Sequence, residues 1–129
     1  HVPLNSADTT LLKKVPGIGS YFARQIVNYR SRLGGFSSVE QLAEIDDFPI
    51  ESLMFFEVSA DEMAKIQRIN INKLTVNQLK KHPYLNFFMA REIVDFRRLH
   101  GDLQSLDQLK LLKDFSEEKV RRLKPYVAF

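Results

Sequence analysis

The amino-acid sequence repeats itself at a fixed spacing, and this repeat constrains the fold more than any other feature. When each residue n is placed over residue n+67, residues 5–60 align with the second half without a gap, and 17 of those 56 positions are identical. Pro16 thereby meets Pro83, for example. The period is longer than that of solenoid repeats. The sequence therefore predicts two copies of one small domain, residues 1–60 and 61–129.

Hydrophobic spacing predicts that each copy is helical. In the first copy, Phe22, Ile26, Tyr29 and Leu33 fall at i, i+4, i+7 and i+11, which places them on one helix face. Gly34 follows directly and ends this helix, because glycine readily takes the left-handed C-terminal position. The second copy has the same pattern, and only residues 68–72 alternate in the manner of a strand. We therefore expect an all-α protein with four short helices in each copy.

Composition excludes several classes of function. The 129 residues include no cysteine, which excludes disulfide frameworks, zinc–thiolate sites and thiol catalysis. The three histidines lack ligand-like spacing, and the chain has no phosphate loop and no Ser/His/Asp order. No apolar run approaches the roughly 18 residues of a membrane-spanning helix. We therefore expect no enzyme, no structural cofactor and no direct membrane contact from this segment.

The charges are unevenly distributed. The net charge is +3 for the whole chain, −2 for residues 1–60 and +5 for residues 61–129. Between Thr9 and Val39 the chain carries five basic residues and no acid; these are Lys13, Lys14, Arg24, Arg30 and Arg32. The segment is either part of an anion-binding surface or an ordinary solvated helix face.

One short motif carries the functional information. Residues 12–27 read LKKVPGIGSYFARQIV, in which Pro16-Gly17-Ile18-Gly19 separates two apolar helical patterns. This segment resembles the helix-hairpin-helix motif, and the tandem arrangement resembles paired helix-hairpin-helix domains with a SAM-domain-like fold. Leu4-Asn5-Ser6-Ala7, Tyr29-Arg30 and Gly35-Phe36 resemble the competence ComEA-type DNA-binding proteins.

The resemblance implies binding of double-stranded DNA through its phosphates. The first N–H groups of a helix lack intrahelical partners and, with the helix dipole, form an anion site. The DNA-contacting residues implied are Lys13, Lys14, Gly17, Ile18, Gly19, Ser20, Tyr21 and Arg24 in the first copy and Lys80, Lys81 and Arg91 in the second. Carbonyls of Lys13, Val15 and Ile18 are implied as ligands of Na⁺ or K⁺. Phosphate contacts do not read bases, so we expect no sequence preference.

The other candidate hairpins depart from this pattern. The second copy has Pro83-Tyr84-Leu85-Asn86, so Tyr84 puts a ring where Gly17 leaves space. We expect Asn86 to keep a left-handed turn, which asparagine tolerates. The later hairpins, at residues 46–48 and 113–115, also lack both glycines. Only the first hairpin therefore has every feature that phosphate binding requires.

Two alternatives stay open at this stage. The glycines can serve only a tight helix connection, with Tyr21, Phe22 and Tyr29 in the core. The protein can also be an interaction scaffold with a protein partner, because the acidic residues 40–57 include three adjacent large apolar residues, Met54, Phe55 and Phe56. The ComEA-type resemblance further implies DNA uptake outside the cytoplasm, with a membrane tether preceding His1.

Overall fold

The computed structural model describes all 129 residues and divides them into two compact units, His1–Gln67 and Arg68–Phe129. The first unit contains β1 (Val2–Pro3), α1 (Thr9–Leu12), α2 (Ser20–Leu33), 3₁₀-helices at Val39–Glu44 and Ile50–Phe55, β2 (Phe56–Glu57) and α3 (Ala60–Met63). The second contains β3 (Ile69–Asn70), α4 (Val76–Leu79), α5 (Phe87–His100), α6 (Leu106–Leu109), α7 (Glu117–Leu123) and β4 (Val127–Ala128). None of these helices has the length and apolar character needed to cross a membrane.

The protein is mostly helical, but each unit also has two short strands that the all-α expectation omitted. β1 pairs in parallel with β2, and β3 pairs in parallel with β4. Each pairing joins the beginning of a unit to a segment near its end. Strands of two residues are too short to show a period of two. The sequence therefore showed strand-like alternation only around β3.

The predicted helix faces pack as expected. Ile26 and Leu33 on α2 are fully buried, and Phe22 and Tyr29 are half-buried. The second unit has its own core, formed mainly by Ile71, Leu79, Leu85, Met89, Ala90, Ile93, Leu103, Leu109, Phe115, Val120, Leu123 and Val127. Tyr21 departs from the core interpretation, because 57% of its surface is exposed.

The segment after Ala60 packs on the first unit, whereas the sequence interpretation assigned it to the second copy. The buried carboxylate of Glu62, only 4% exposed, accepts the Asn5 N–H at 3.1 Å and the Ser6 hydroxyl at 2.8 Å. The Gln67 N–H donates to the Gly34 carbonyl at 2.8 Å. These contacts lie outside the repeated register, so the alignment of the two copies gave no sign of them.

An asparagine at the equivalent position in each unit stabilises that unit from within. The Asn5 side chain donates to the Phe36 carbonyl at 2.8 Å and accepts the Phe36 N–H at 2.6 Å. Asn72 makes the same pair of bonds with Leu103, at 2.9 and 2.8 Å. This identity between the copies therefore reflects a shared structural bond.

Arginines at equivalent positions are structural as well. Arg30 donates to the Leu4 carbonyl at 2.9 Å and to the Ala7 carbonyl at 2.8 Å, and Arg97 bonds the two equivalent carbonyls of the second unit. Burial lowers the pKa of Arg30, and the charge of Glu62 opposes that shift. Arg30 thus connects α2 to the N-terminal segment.

Candidate nucleic-acid interface

Four hairpins that share one backbone hydrogen bond connect the helices. In each, the N–H of a buried apolar residue at the tip donates to the carbonyl three residues earlier. The four bonds are Ile18 to Val15 (3.0 Å), Phe48 to Ile45 (3.2 Å), Leu85 to His82 (3.0 Å) and Phe115 to Leu112 (3.2 Å). The hairpins differ in the residues on either side of the tip, and those residues decide what each hairpin can bind.

The two glycines of the first hairpin have different conformations. Gly17 has φ +90°, a region that favours glycine, so it is needed for the turn. Gly19 has φ −97° and ψ −166°, which any residue adopts, so its backbone does not require glycine. A Cβ on Gly19 would meet no atom within 4 Å. Gly19 therefore leaves open space in front of α2.

The start of α2 presents unused hydrogen-bond donors. The first helical bond is from the Ala23 N–H to the Gly19 carbonyl, at 3.0 Å, and no side chain caps this end. The N–H groups without a protein acceptor are those of Gly17, Gly19, Ser20, Tyr21 and Phe22. The helix is 14 residues long, and its dipole adds partial positive charge at this end. An anion can bind here with its oxygens on the amides.

Basic side chains surround these amides. Lys13, Lys14 and Arg24 are exposed, and their side chains form no ion pair or hydrogen bond with the protein. Gly17, Gly19, Ser20 and Tyr21 are also exposed. Ile18 is only 4% exposed, so its backbone alone faces the surface. Apart from Ile18, the predicted DNA-contacting residues of the first hairpin are thus all accessible.

The carbonyls implied for a monovalent cation fit that role in part. Those of Lys13 and Ile18 accept no hydrogen bond, whereas that of Val15 accepts the Ile18 N–H. Backbone carbonyl oxygens are the ligands that replace the hydration shell of K⁺ in proteins. Two of the three oxygens are therefore fully available, and the third keeps one lone pair.

The second hairpin of the first unit lies beside the first but cannot hold a phosphate in the same way. The Phe48 ring contacts the Phe22 ring edge-to-face, with centroids 5.6 Å apart. Asp47 takes the left-handed position, at φ +59°, and Pro49 precedes the following helix without an N–H to donate. The carboxylates of Asp46 and Asp47 repel anions. This hairpin therefore has one donor fewer, at Pro49, and two carboxylates that disfavour a phosphate.

In the first hairpin of the second unit, side chains of the protein accept hydrogen bonds from some of the backbone N–H groups. Asn86 is extended, at φ −97°, so the expected left-handed turn is wrong; it caps α5 by accepting the Met89 N–H at 2.8 Å. The Tyr84 N–H donates to Nδ1 of the buried His82 at 3.0 Å. The guanidinium of Arg122 lies 4.0 Å above the Tyr84 ring. The donors that are free around Gly17 are therefore partly engaged here.

The predicted basic residues of this unit remain on its surface. Lys80, Lys81 and Arg91 are exposed, and Arg91 forms a long ion pair with Asp95, at 3.8 Å. The two phenylalanines that begin α5 are exposed too, Phe87 by 45% and Phe88 by 65%. The sequence analysis did not single them out, although the n+67 register places them over Ser20 and Tyr21.

Comparison with known families identifies the motif. The helix-hairpin-helix motif profile matches residues 1–53 and 64–128, which is most of both units. The chain belongs to the helix-hairpin-helix family. Membership in this family indicates nucleic-acid binding, which agrees with the unused amides at the first hairpin.

Several vertebrate relatives match the chain over one part of their length. Endonuclease/exonuclease/phosphatase family domain-containing protein 1 of Mus musculus and of Homo sapiens are each 32% identical to it over 136 residues, covering 82% of this chain. The protein of the same name from Danio rerio is 26% identical over 140 residues, covering 94%. The chain spans about a quarter of these relatives, 24% to 26% of their length. No solved structure matches the chain.

Proposed function

We propose that this protein binds double-stranded DNA through its phosphates, without sequence preference, at the hairpin that precedes α2. The observation that carries the proposal is the set of exposed amides around Gly19, which have no acceptor in the protein and no capping side chain. Charge-assisted hydrogen bonds from such amides to a phosphate are stronger than bonds between neutral groups. Family membership supports the same ligand class.

Each residue of the hairpin has a definite part in this mechanism. The amides of Gly17, Gly19, Ser20, Tyr21 and Phe22 hold one phosphate, and the Ser20 hydroxyl adds a donor. Arg24, one helical turn further, reaches the next phosphate, and Lys13 and Lys14 flank the approach. A Na⁺ or K⁺ ion on the free carbonyls of the hairpin would add positive charge beside the amides. All these contacts are made to the sugar–phosphate backbone of the DNA, so duplexes of unrelated sequence bind equally well.

The substitution Gly19→Asn tests the proposal. It places at this position the residue that the second unit has in Asn86, whose side chain caps its own helix. The new side chain should accept the Phe22 N–H and fill the open space, so the fold is retained and the amides are withdrawn. We expect duplex affinity to fall about tenfold or more, given about 1.5–3 kcal/mol for each hydrogen bond to a charged group. Fluorescence anisotropy with two unrelated labelled duplexes measures it.

The matched control is Asn28→Ala, an exposed position further along the same helix. It should leave duplex affinity unchanged. If Gly19→Asn binds DNA as tightly as the wild type while folded, as judged by circular dichroism, the hairpin is not the binding site.

We propose that the chain is a binding module and not a catalyst. Its relatives are four times longer and are named for an endonuclease/exonuclease/phosphatase domain, which favours a module that holds DNA within a larger protein. The ComEA-type resemblance favours instead a role in DNA uptake outside the cytoplasm. Incubation of the chain with plasmid and Mg²⁺ should leave the DNA intact, and cleavage would contradict this proposal.

A protein-interaction function is the second candidate, favoured by one apolar surface. Ile50 and Met54 are 64% and 69% exposed, and Phe55 is 38% exposed. Phe56, in contrast, is buried, so the patch is smaller than the sequence suggested. A partner bound here should survive nuclease treatment and be lost in Met54→Ser, with duplex affinity unchanged.

A further inference from the structure

The start of α5 carries an exposed aromatic pair. The Phe87 and Phe88 rings contact each other edge-to-face, with centroids 5.5 Å apart and planes at 80°. They are 45% and 65% exposed, although each could be buried at large gain in free energy. They occupy the positions of Ser20 and Tyr21 in the first unit, next to the tip of a hairpin. An aromatic surface thus stands where the first unit presents its amides.

Cations accompany the rings. Lys80 and Lys81 are exposed at the end of α4 and form no ion pair, and Arg91 lies one turn along α5 from Phe87. Phe87, Arg91 and Arg98 line one groove of about 460 Å³ beside the start of α4. The whole second unit carries 13 basic and 7 acidic side chains, a net charge of +6. The unit is therefore suited to a ligand that combines negative charge with flat apolar groups.

The helix start itself is less suited to a phosphate than that of α2. Asn86 caps it and His82 accepts the Tyr84 N–H, so the backbone offers fewer donors than in the first unit. Aromatic side chains interleaved with cations bind single strands differently, by stacking on the bases while the cations follow the phosphates. The second unit has both the exposed rings and the exposed cations that this mode of single-strand binding requires.

We propose that the second unit binds single-stranded DNA, with unpaired bases stacked on Phe87 and Phe88 and phosphates on Lys80, Lys81 and Arg91. This inference rests on the proposed function in taking DNA as the ligand. An anionic lipid surface is the competing occupant for rings beside lysines. The groove next to Phe87 favours the nucleic acid, because polar Thr75 and Asn77 line it and would not enter a bilayer. Asp95 in this groove forms ion pairs with Arg91 and Arg98.

The first test uses the full chain and two labelled strands of equal length, oligo-dT and an abasic strand. Stacking requires bases, so the wild type should bind oligo-dT more tightly than the abasic strand. The double substitution Phe87→Ala/Phe88→Ala should weaken oligo-dT binding about 5- to 100-fold. Leu99→Ala, 76% exposed at the other end of α5, is the control and should change nothing. Equal affinity for both strands in the wild type would overturn the proposal.

The second test uses Phe88→Trp. The chain contains no tryptophan, so the substitution introduces a single indole fluorophore. Oligo-dT should quench its emission, and binding should be retained because the ring is still aromatic. Emission that shifts to the blue with phosphatidylserine vesicles and does not respond to oligo-dT would assign the surface to lipid and overturn the proposal.

The two DNA sites can fail separately. Gly19→Asn should lose duplex binding and keep oligo-dT binding, and Phe87→Ala/Phe88→Ala should do the reverse. Loss of both activities in Gly19→Asn would show that the first hairpin binds every DNA and would overturn the single-strand site. A wild type that binds oligo-dT and no duplex would overturn the proposed function alone.

Discussion

At the residue scale, Gly17 and Gly19 stand two positions apart and serve different purposes. Gly17 has φ +90° and makes the turn, whereas Gly19 has ordinary backbone angles and leaves space for a ligand. The same contrast separates Arg30, which bonds two backbone carbonyls, from Arg24, which bonds nothing in the protein. Residue type alone does not distinguish a structural position from a binding position here.

Gly17→Ala should destabilise the first unit without filling the binding site. The left-handed conformation costs a residue with a Cβ about 1–2 kcal/mol, and the new Cβ would meet only Pro49, at an ordinary 3.9 Å. Urea denaturation followed by circular dichroism measures the loss. Equal stability of Gly17→Ala and the wild type would show that the turn can form without positive φ.

The arginines give a second contrast. Arg30→Ala should lower the free energy of unfolding by about 1.5–3 kcal/mol, because it removes charge-assisted bonds to Leu4 and Ala7. Arg24→Ala should keep the free energy of unfolding within about 0.5 kcal/mol of the wild-type value. It should weaken duplex binding. Urea titration and anisotropy on both variants test this. An Arg24→Ala variant that binds normally would remove Arg24 from the site.

At the element scale, α2 and α5 are both 14 residues long and follow similar hairpins, yet their N-termini differ in chemistry. Gly19 leaves α2 uncapped, and Asn86 caps α5. One start offers backbone donors to an anion, and the other offers two rings. A change of a few residues at a helix start therefore gives one fold two kinds of surface.

The short helix α3 is expected to decide whether the first unit folds alone. A fragment of residues 1–67 keeps the bonds from Asn5 and Ser6 to Glu62 and from Gln67 to Gly34, and a fragment of residues 1–60 loses them. A domain of ~60 residues is marginal, so these contacts matter. Thermal unfolding should be cooperative for 1–67 and occur at a lower temperature, or be absent, for 1–60. Identical melting curves would contradict this role of α3.

At the scale of the whole molecule, charge is divided between the units. The first unit carries 6 basic and 9 acidic side chains, net −3, although it holds the phosphate-binding hairpin; the second carries net +6. Under the proposed function, the cations near Gly19 bind phosphate within a unit that is acidic overall. We expect the net charge of +6 on the second unit to attract DNA to the chain.

The salt dependence of duplex binding measures how many DNA phosphates the protein neutralises. If 3–5 phosphates are neutralised, log K should fall with log salt with a slope of about −3 to −4.5. Lys13→Ala should reduce the slope by about one and weaken binding equally for unrelated sequences. Titrations of labelled duplex at several salt concentrations provide the slope. A slope near zero would exclude phosphate contacts as the basis of binding.

The repeat, the helical faces and the first hairpin could all be predicted from sequence, because each depends on local spacing. Residues at i, i+4 and i+7 share a helix face wherever the helix lies, and Pro-Gly-Ile-Gly makes a hairpin through backbone freedom alone. The residues implied at this hairpin lie together in the structure. Their DNA contacts stay predictions until binding is measured.

Only the tertiary structure decided which residues have partners and which are exposed. The packing of Glu62 on Asn5, the parallel strand pairs and the exposure of Phe87 and Phe88 all depend on segments distant in sequence. Asn86 shows the same point locally: its type permits a left-handed turn, but the hairpin used it as a helix cap. Local preference specifies what a residue can do, and the surrounding fold selects among those possibilities.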